Sequence, residues 1–381
     1  MVCFSASYLA LGMVKFRFKV CHFTSAHPRY DIRIFVKECK TLATNGYDVS
    51  LVVADGKGDE TVSDIKIYDA GKSSNRISRM TKTVWRVYKK ALSLNADIYH
   101  FHDPELIIVA YLLKRKGKKV IYDVHEDLPR QLFAKAYLGK FIASVLSFFA
   151  EQTEIFFAAR LSGVITVTPF IFKRFKKLNS TVEMVCNFPL LSEFSFETTV
   201  ATKQNAICYV GSITEERGLF YMLLAMENID ARLNLAGVFD SNELREKSLQ
   251  MPAWKNVNEL GFLNRTDILK TISQSRVGLA VLKNLPNYVD AYPIKIFEYM
   301  AAGVPVVASD FPLWKEIVEV NNCGICVAPD NTKAIADAVN SLLSNETLAQ
   351  QMGANGKKAI KEKYNWEAES RNLLSFYARL K

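Results

Sequence analysis

Short apolar runs, rich in β-branched residues, alternate along the chain with stretches in which apolar positions recur every three to four residues. The short runs predict strands at 16–23, 47–54, 98–101, 120–124, 164–168 and 182–186, and again at 206–211, 232–236, 277–282, 304–308 and 324–327. Helical spacing fills 32–45, where Gly46 supplies the stop, and 105–115. Three more helices are expected at 332–343, 346–363 and 366–380. Strand and helix in turn throughout predict an α/β protein with parallel, doubly wound sheets. The pattern lapses once, over 187–205, which is rich in Ser, Thr and Glu and reads as a linker. The expected organisation is a first domain at 1–187, a linker at 188–205, a second domain at 206–365 and a last helix at 366–381.

The 381 residues are 49% apolar and 23% charged, which excludes disordered, collagenous and disulfide-scaffold classes. Net charge is +10 and unevenly placed: 1–185 hold 29 Lys and Arg against 17 Asp and Glu, whereas 186–381 hold 20 against 22. A basic first half implies an anionic surface or substrate facing it, and the runs at 114–119 and 173–177 carry much of the charge. No nucleic-acid module accompanies it, so lipid head groups are the better match and nucleic acid is not expected as a partner. The longest apolar stretch, 141–155, is interrupted by Glu151 and Glu154 and falls short of a bilayer span. It reads as an amphipathic helix, with interfacial membrane contact as the lesser option. Residues 1–14 are apolar, but Lys15, Arg17 and Lys19 follow them, the reverse of a secretory signal. They read as an upstream extension, with Met13 near the working start. Seven Cys are scattered through apolar segments; Cys323 and Cys326 have C-x-x-C spacing but no second pair or His nearby. Packing cysteines in a reduced, cytoplasmic protein are expected.

Several signatures fail. Gly56-Lys57-Gly58 is followed by Thr61 where a dinucleotide fingerprint needs glycine, and Gly71-Lys72-Ser73 has Lys66 where a phosphate loop needs one. All five His (22, 27, 100, 102, 125) lie at or just after predicted strand ends, three of them in the two acidic-flanked runs His100-Phe101-His102-Asp103 and Asp123-Val124-His125-Glu126-Asp127. Ligands of such sheets bind beyond the carboxyl ends of the strands, so these runs point to a site. Two His and a carboxylate can ligate a metal, but loop positions fix no ligand spacing, and no metal ligand is expected.

In the second half, Tyr209–Gly218 reads as strand, glycine turn and helix start, with Gly211 opening the backbone to a ligand and Arg217 offering forked donors to a phosphate. The run from Asp290 to Asp310 is more specific. Pro293 opens a helix, Gly303 ends it and Pro305-Val306-Val307 launches a strand. The helix amino terminus favours an anion such as a diphosphate. Lys295 stands in that first turn, where the dipole alone would not favour it. Glu298 sits in an otherwise apolar stretch and needs partners, for which sugar hydroxyls are plausible.

Over roughly 15–381 the chain resembles glycosyltransferase family 4, the retaining nucleotide-sugar glycosyltransferases of the GT-B fold. The resemblance is most specific at Pro293–Asp310, similar to the family's E-x7-E segment and the Gly-x-Pro-Val-Val after it. It implies two Rossmann-like domains facing a cleft, with the Trp366 helix crossing back onto the first. Glu298 matches the glutamate that holds the donor ribose, and Asp290 stands where the first glutamate contacts the transferred sugar. His125 matches the strand-end histidine near the sugar and phosphates. Arg217 stands for the lysine that clamps the diphosphate; Ser212 replaces its companion arginine, and Lys295 is expected to substitute. Lys295→Ala should then weaken donor binding severalfold. The implied catalytic set is His125, Asp290 and Glu298, and the implied donor-binding set is Gly211, Ser212, Arg217, Phe262, Ile294, Lys295 and Glu298. The loop 24–33 takes the place of an acceptor loop, similar to polysaccharide-building members. It makes His27, Arg29 and Arg33, with His102 and Asp103, the expected acceptor contacts.

The implied reaction is metal-independent, cofactor-free hexose transfer from a nucleotide-diphosphate sugar to a glycan or lipid-linked glycan. A metal is not needed if cations and a helix terminus stabilise the departing diphosphate, and no Asp-x-Asp motif is present. The setting is polysaccharide or lipopolysaccharide assembly, in the cytoplasm and peripheral at the inner membrane face. A sugar-nucleotide epimerase of the same fold and a non-catalytic donor-binding subunit are the alternatives. A glycosidase is disfavoured because the carboxylates of Asp103/Glu105 and Glu126/Asp127 are too close in sequence to flank a sugar.

Overall fold

A computed structural model describes residues 18–133, 139–194 and 203–381. The apolar opening 1–14, the first two residues of the strand expected at 16–23 and part of the expected linker lie outside them. The chain divides into two compact units, Met1–Ile121 and Tyr122–Lys381. Its strands form two mainly parallel sheets.

The first unit carries β1 (Lys19–Phe23), β2 (Asp48–Val53), β3 (Glu60–Val62), β4 (Ile65–Asp69) and β5 (Ile98–Phe101), ordered β3-β4-β2-β1-β5. All pair in parallel except the β3–β4 hairpin. Every residue of β5, and four of the five in β1, is buried, as parallel strands covered on both faces require. The helix expected over 32–45 is present but opens as a π-helix, Ile32–Cys39, before an α-helical turn at Lys40–Thr44. Asp31 caps it by accepting from the Arg33 and Ile34 N–H groups, and Gly46 follows with φ +88°.

β6 (Lys119–Val124) spans the division. The second unit continues with β7 (Gly163–Thr166) paired to β8 (Val182–Met184), then β9 (Ala206–Val210), β10 (Arg232–Ala236), β11 (Val257–Gly261), β12 (Val277–Ala280), β13 (Val306–Ser309) and β14 (Gly324–Val327). The last six form one parallel sheet, ordered β11-β10-β9-β12-β13-β14. Alternation along β9 sends Ile207 and Tyr209 to one apolar cluster and Cys208 and Val210 to another, so the sheet has a core on each face. Helices cover both faces, as the crossovers of a doubly wound sheet demand. The last helix, Trp366–Arg379, lies on the β7–β8 side: Glu369 accepts from the Cys186 N–H at 2.8 Å, and Arg379 meets Glu183 at 2.6 Å.

The 141–155 stretch is a helix, Lys140–Ala158, with its polarity reversed from a surface helix. Its buried positions are Ala143, Ser147, Glu154 and Ala158, and Glu154 accepts from the Tyr122 hydroxyl at 3.0 Å and from Arg174 at 2.7 Å. Phe141, Ile142, Leu146, Phe148, Phe149 and Phe156 face outward instead. Among the described residues it alone is long and apolar enough to cross a membrane by length and composition.

Candidate functional site

The end of β9 builds the site. Past Val210 the chain turns at Gly211, with φ +128°. A Cβ there would lie 3.4 Å from Arg217 Nη1 and 3.5 Å from Lys295 Nζ, so two cations from separate elements converge on bare backbone. Gly218, at φ +79°, aims Arg217 at that point. A Cβ on Gly218 would come within 1.8 Å of the Val281 carbonyl oxygen, so only glycine lets the chain pass β12 and start the helix Leu219–Met226.

Lys295 is the second residue of the helix Ile294–Ala302 and is 8% exposed. Its Nζ sits 3.7 Å from the centroid of the Tyr209 ring and has no hydrogen-bond partner among the described residues. Burial first, then the charge of Arg217, holds the ammonium well below the usual lysine range, with Glu298 opposing. Burial pushes the Tyr209 phenol up to about 12, so the ring beneath Lys295 stays neutral. A buried amine and a partly buried guanidinium facing open backbone at a helix start are an arrangement that an anion relieves.

Glu298 lies one turn further along the helix and is buried. The sequence left it to sugar hydroxyls; the structure gives it Arg265, whose Nη1 bonds one carboxylate oxygen while Nη2 donates to Glu193 at 2.6 Å. Asp290 follows the short turn Pro286–Val289 and accepts from Arg130 Nη1 at 2.6 Å. The Arg130 guanidinium also covers the Phe170 ring at 3.6 Å. His125 Nε2 lies 2.7 Å from the buried Asp123 carboxylate, a pairing that orients the ring. Ser212 is exposed and contributes its carbonyl, which accepts from the Tyr209 hydroxyl at 2.8 Å. Ile294 and Phe262 are exposed, the latter at 82%.

The structure thus brings Gly211, Arg217 and Lys295 to one point and ties Asp290, Glu298 and His125 to charged partners. Sequence reasoning missed Arg130, Arg265 and Tyr209. Arg130 was signalled by its place five residues after His125, and Tyr209 by its place two before Gly211; nothing in the sequence linked Arg265 to Glu298.

In the first unit, Asp103 accepts from the Thr24 hydroxyl and the Ser25 N–H, both at 2.6 Å, and His27 Nε2 approaches it at 3.4 Å. Arg29 is buried against Asp55 at 2.6 Å and also reaches Glu60; Arg33 is buried against Glu38 at 3.1 Å. His102 Nε2 is 3.0 Å from His22 Nδ1. Of the five residues expected to meet an acceptor, Arg29, Arg33, His102 and Asp103 are buried, and His27 is partly exposed. His22 and His100 lie one residue before the last of β1 and β5, at strand ends as expected, and are buried.

The model of Glycosyltransferase Family 4 matches residues 33–188, and that of Glycosyl transferases group 1 matches 192–359. In succession along the chain these are the two domains of group 1 and family 4 glycosyltransferases. The group 1 match contains Gly211, Arg217, Lys295 and Glu298, and the family 4 match contains His125. An uncharacterized glycosyltransferase of Methanocaldococcus jannaschii is 32% identical over 183 residues, 47% of this chain and 46% of that protein. The chain spans about half the length of the curated relatives it matches. Sucrose-phosphate synthase from Thermosynechococcus elongatus superimposes with a TM-score of 0.77 at 16% identity, over 96% of this chain and 99% of that one. The HepE protein of Anabaena, solved with UDP-glucose, gives 0.74 at 13% identity, over 95% and 100%. The chain therefore has the GT-B fold.

Proposed function

We propose that the chain is a retaining glycosyltransferase that moves a hexose from a nucleoside diphosphate sugar to a glycan or lipid-linked glycan, in cell-surface polysaccharide or lipopolysaccharide assembly. The observation that carries this reading is the convergence of Arg217 and the buried, unpartnered Lys295 Nζ on Gly211. A diphosphate supplies the acceptors that Lys295 lacks, and the UDP-glucose in the HepE neighbour supports that donor class.

Transfer breaks the bond between the anomeric carbon and the diphosphate oxygen, leaving positive charge on the sugar and negative charge on the leaving group. Arg217, Lys295 and the N–H groups opening the Ile294–Ala302 helix sit where the negative charge grows, which is electrostatic stabilisation without a metal between the phosphates. With the acceptor hydroxyl entering on the face the diphosphate leaves, a phosphate oxygen takes the hydroxyl proton and configuration is retained. Asp290, steadied by Arg130, and His125, steadied by Asp123, would hold the transferred sugar. Glu298 would hold the ribose with the carboxylate oxygen that Arg265 does not take.

A thermal-shift screen of UDP, GDP, ADP and their hexoses tests the reading. One base is expected to raise the unfolding midpoint, and the purified chain should release that diphosphate only when an acceptor is present. No shift with any nucleotide would remove the proposal. Donor isomerised without acceptor would assign an epimerase, and binding without turnover a donor-binding subunit.

The outward phenylalanines of the Lys140–Ala158 helix, with the +12 charge of residues 1–185, support a peripheral position on the anionic cytoplasmic membrane face. Vesicle binding should fall steeply with salt. Replacing Phe148 and Phe149 together by Ser should weaken it about 100-fold, since two buried aromatic side chains contribute ~3 kcal/mol or more, while leaving the fold intact. Equal flotation of variant and wild type with anionic vesicles would rule the helix out as the contact.

A further inference from the structure

Four metal-donor side chains meet inside the first unit. His22 in β1 and His100 in β5 stand side by side in the parallel register, with ring centroids 4.5 Å apart. His102 follows two residues after His100, and its ring stacks on that of His100 at 4.7 Å. Glu38 arrives from the π-helix Ile32–Cys39, a winding that often marks functional positions. His22 Nδ1 is 3.0 Å from His102 Nε2 and 3.8 Å from Glu38 Oε2. One donor atom from each of the four lies within 4.8 Å of every other, and all four residues are buried.

Tetrahedral zinc holds imidazole nitrogen and carboxylate oxygen at about 2.0–2.2 Å, which sets neighbouring donors roughly 3.3 Å apart. The two measured separations straddle that value. Arg33 Nη2 holds Glu38 Oε1 at 3.1 Å, so the carboxylate presents Oε2 towards His22, the kind of outer contact that orients a metal ligand. Three imidazoles with one carboxylate suit zinc; magnesium and calcium call for six or more oxygens.

We propose that His22, Glu38, His100 and His102 bind a structural zinc ion in the first unit. Four protein ligands close the coordination sphere, so the ion ties β1, β5 and the π-helix together and takes no part in glycosyl transfer. The proposal rests on the geometry of this unit and stands apart from the donor reading. Because Arg33 and Lys37 are buried on the same helix and one ligand is anionic, the affinity falls below that of thiolate sites.

The test uses the full chain, stripped with EDTA and titrated with Zn²⁺ against a chromophoric chelator. One equivalent is expected to bind, and unfolding should shift to higher temperature with zinc. Co²⁺ in its place should give the visible bands of a tetrahedral nitrogen–oxygen site without thiolate charge transfer, which separates this site from the cysteines. Glu38→Gln and His102→Asn should each lower zinc affinity about 100-fold or more. No bound equivalent, a thiolate spectrum, or undiminished binding in both variants would overturn the proposal. The cobalt spectrum of the wild-type chain decides the matter even if a variant does not fold.

Discussion

Replacing Lys295 by methionine is expected to weaken nucleotide-diphosphate binding at least 30-fold, a loss of ~2 kcal/mol or more, while stabilising the empty chain. Both effects have one cause. The amine is buried beside Arg217, against the Tyr209 face and with no hydrogen-bond partner among the described residues, so carrying its charge in the empty site is costly. Methionine fills similar space without charge, and removal of buried charge can add about 1–4 kcal/mol. The sign of the pH dependence follows. Lys295 has a lowered folded-state pKa, whereas in the unfolded chain it titrates near ~10.4. Between those values the unfolded chain binds the extra proton, so stability rises with pH there. The melting advantage of Lys295→Met should therefore be largest below the folded-state value and shrink as pH climbs towards about 10.4. Binding a diphosphate should take up a proton, seen as a buffer-dependent heat in calorimetry. Tight binding retained in the methionine variant would remove Lys295 from the site.

Gly218→Ala is expected to cost roughly 3–5 kcal/mol, near the upper end for single substitutions. The added Cβ meets the Val281 carbonyl oxygen at 1.8 Å, a backbone atom that cannot swing aside, and φ is +79°, a conformation alanine resists. The helix Leu219–Met226, whose side chains fill one core of the second sheet, must shift away from β12. Arg217 moves with it, so any folded fraction should also bind diphosphate poorly. Chemical denaturation measures the first effect; a midpoint within error of wild type would show that the chain passes β12 differently. A milder neighbour gives a control: Ser212→Ala should leave both measurements near wild type, because among the described residues Ser212 is engaged through its carbonyl and not its hydroxyl.

Strands flanked by clear turns were legible from the pattern: 98–101, 232–236 and 324–327 match β5, β10 and β14. The β3–β4 hairpin was not. Its turn residues Ser63 and Asp64 both adopt positive φ, at 51° and 61°, without the glycine or asparagine that usually announces such a turn. β11 was missed as well, because Val257-Asn258-Glu259-Leu260-Gly261 is half-exposed and lacks a continuous apolar run. The 141–155 helix was recognised as a helix, but the inward placement of Glu154 was hidden. A periodic pattern reports which residues share a face, and neither Tyr122 nor Arg174 is near enough in the chain to tell which face is covered.

For the candidate site the division is similar. Gly211, Arg217, Lys295 and Glu298 could be picked out in the one-dimensional text because each breaks its local pattern: a glycine after a strand, or a charge in an apolar helix. The charged partners could not. Arg265 meets Glu298 across 33 positions, Arg130 meets Asp290 across 160, and His22 meets His102 across 80. Local sequence governs backbone propensity and the alternation of apolar positions over a few residues, which is enough to specify an α/β chain and the glycine turn that follows β9. Which charges neutralise one another depends on strand order and helix docking, because electrostatic pairing acts through space and carries no trace in neighbouring positions.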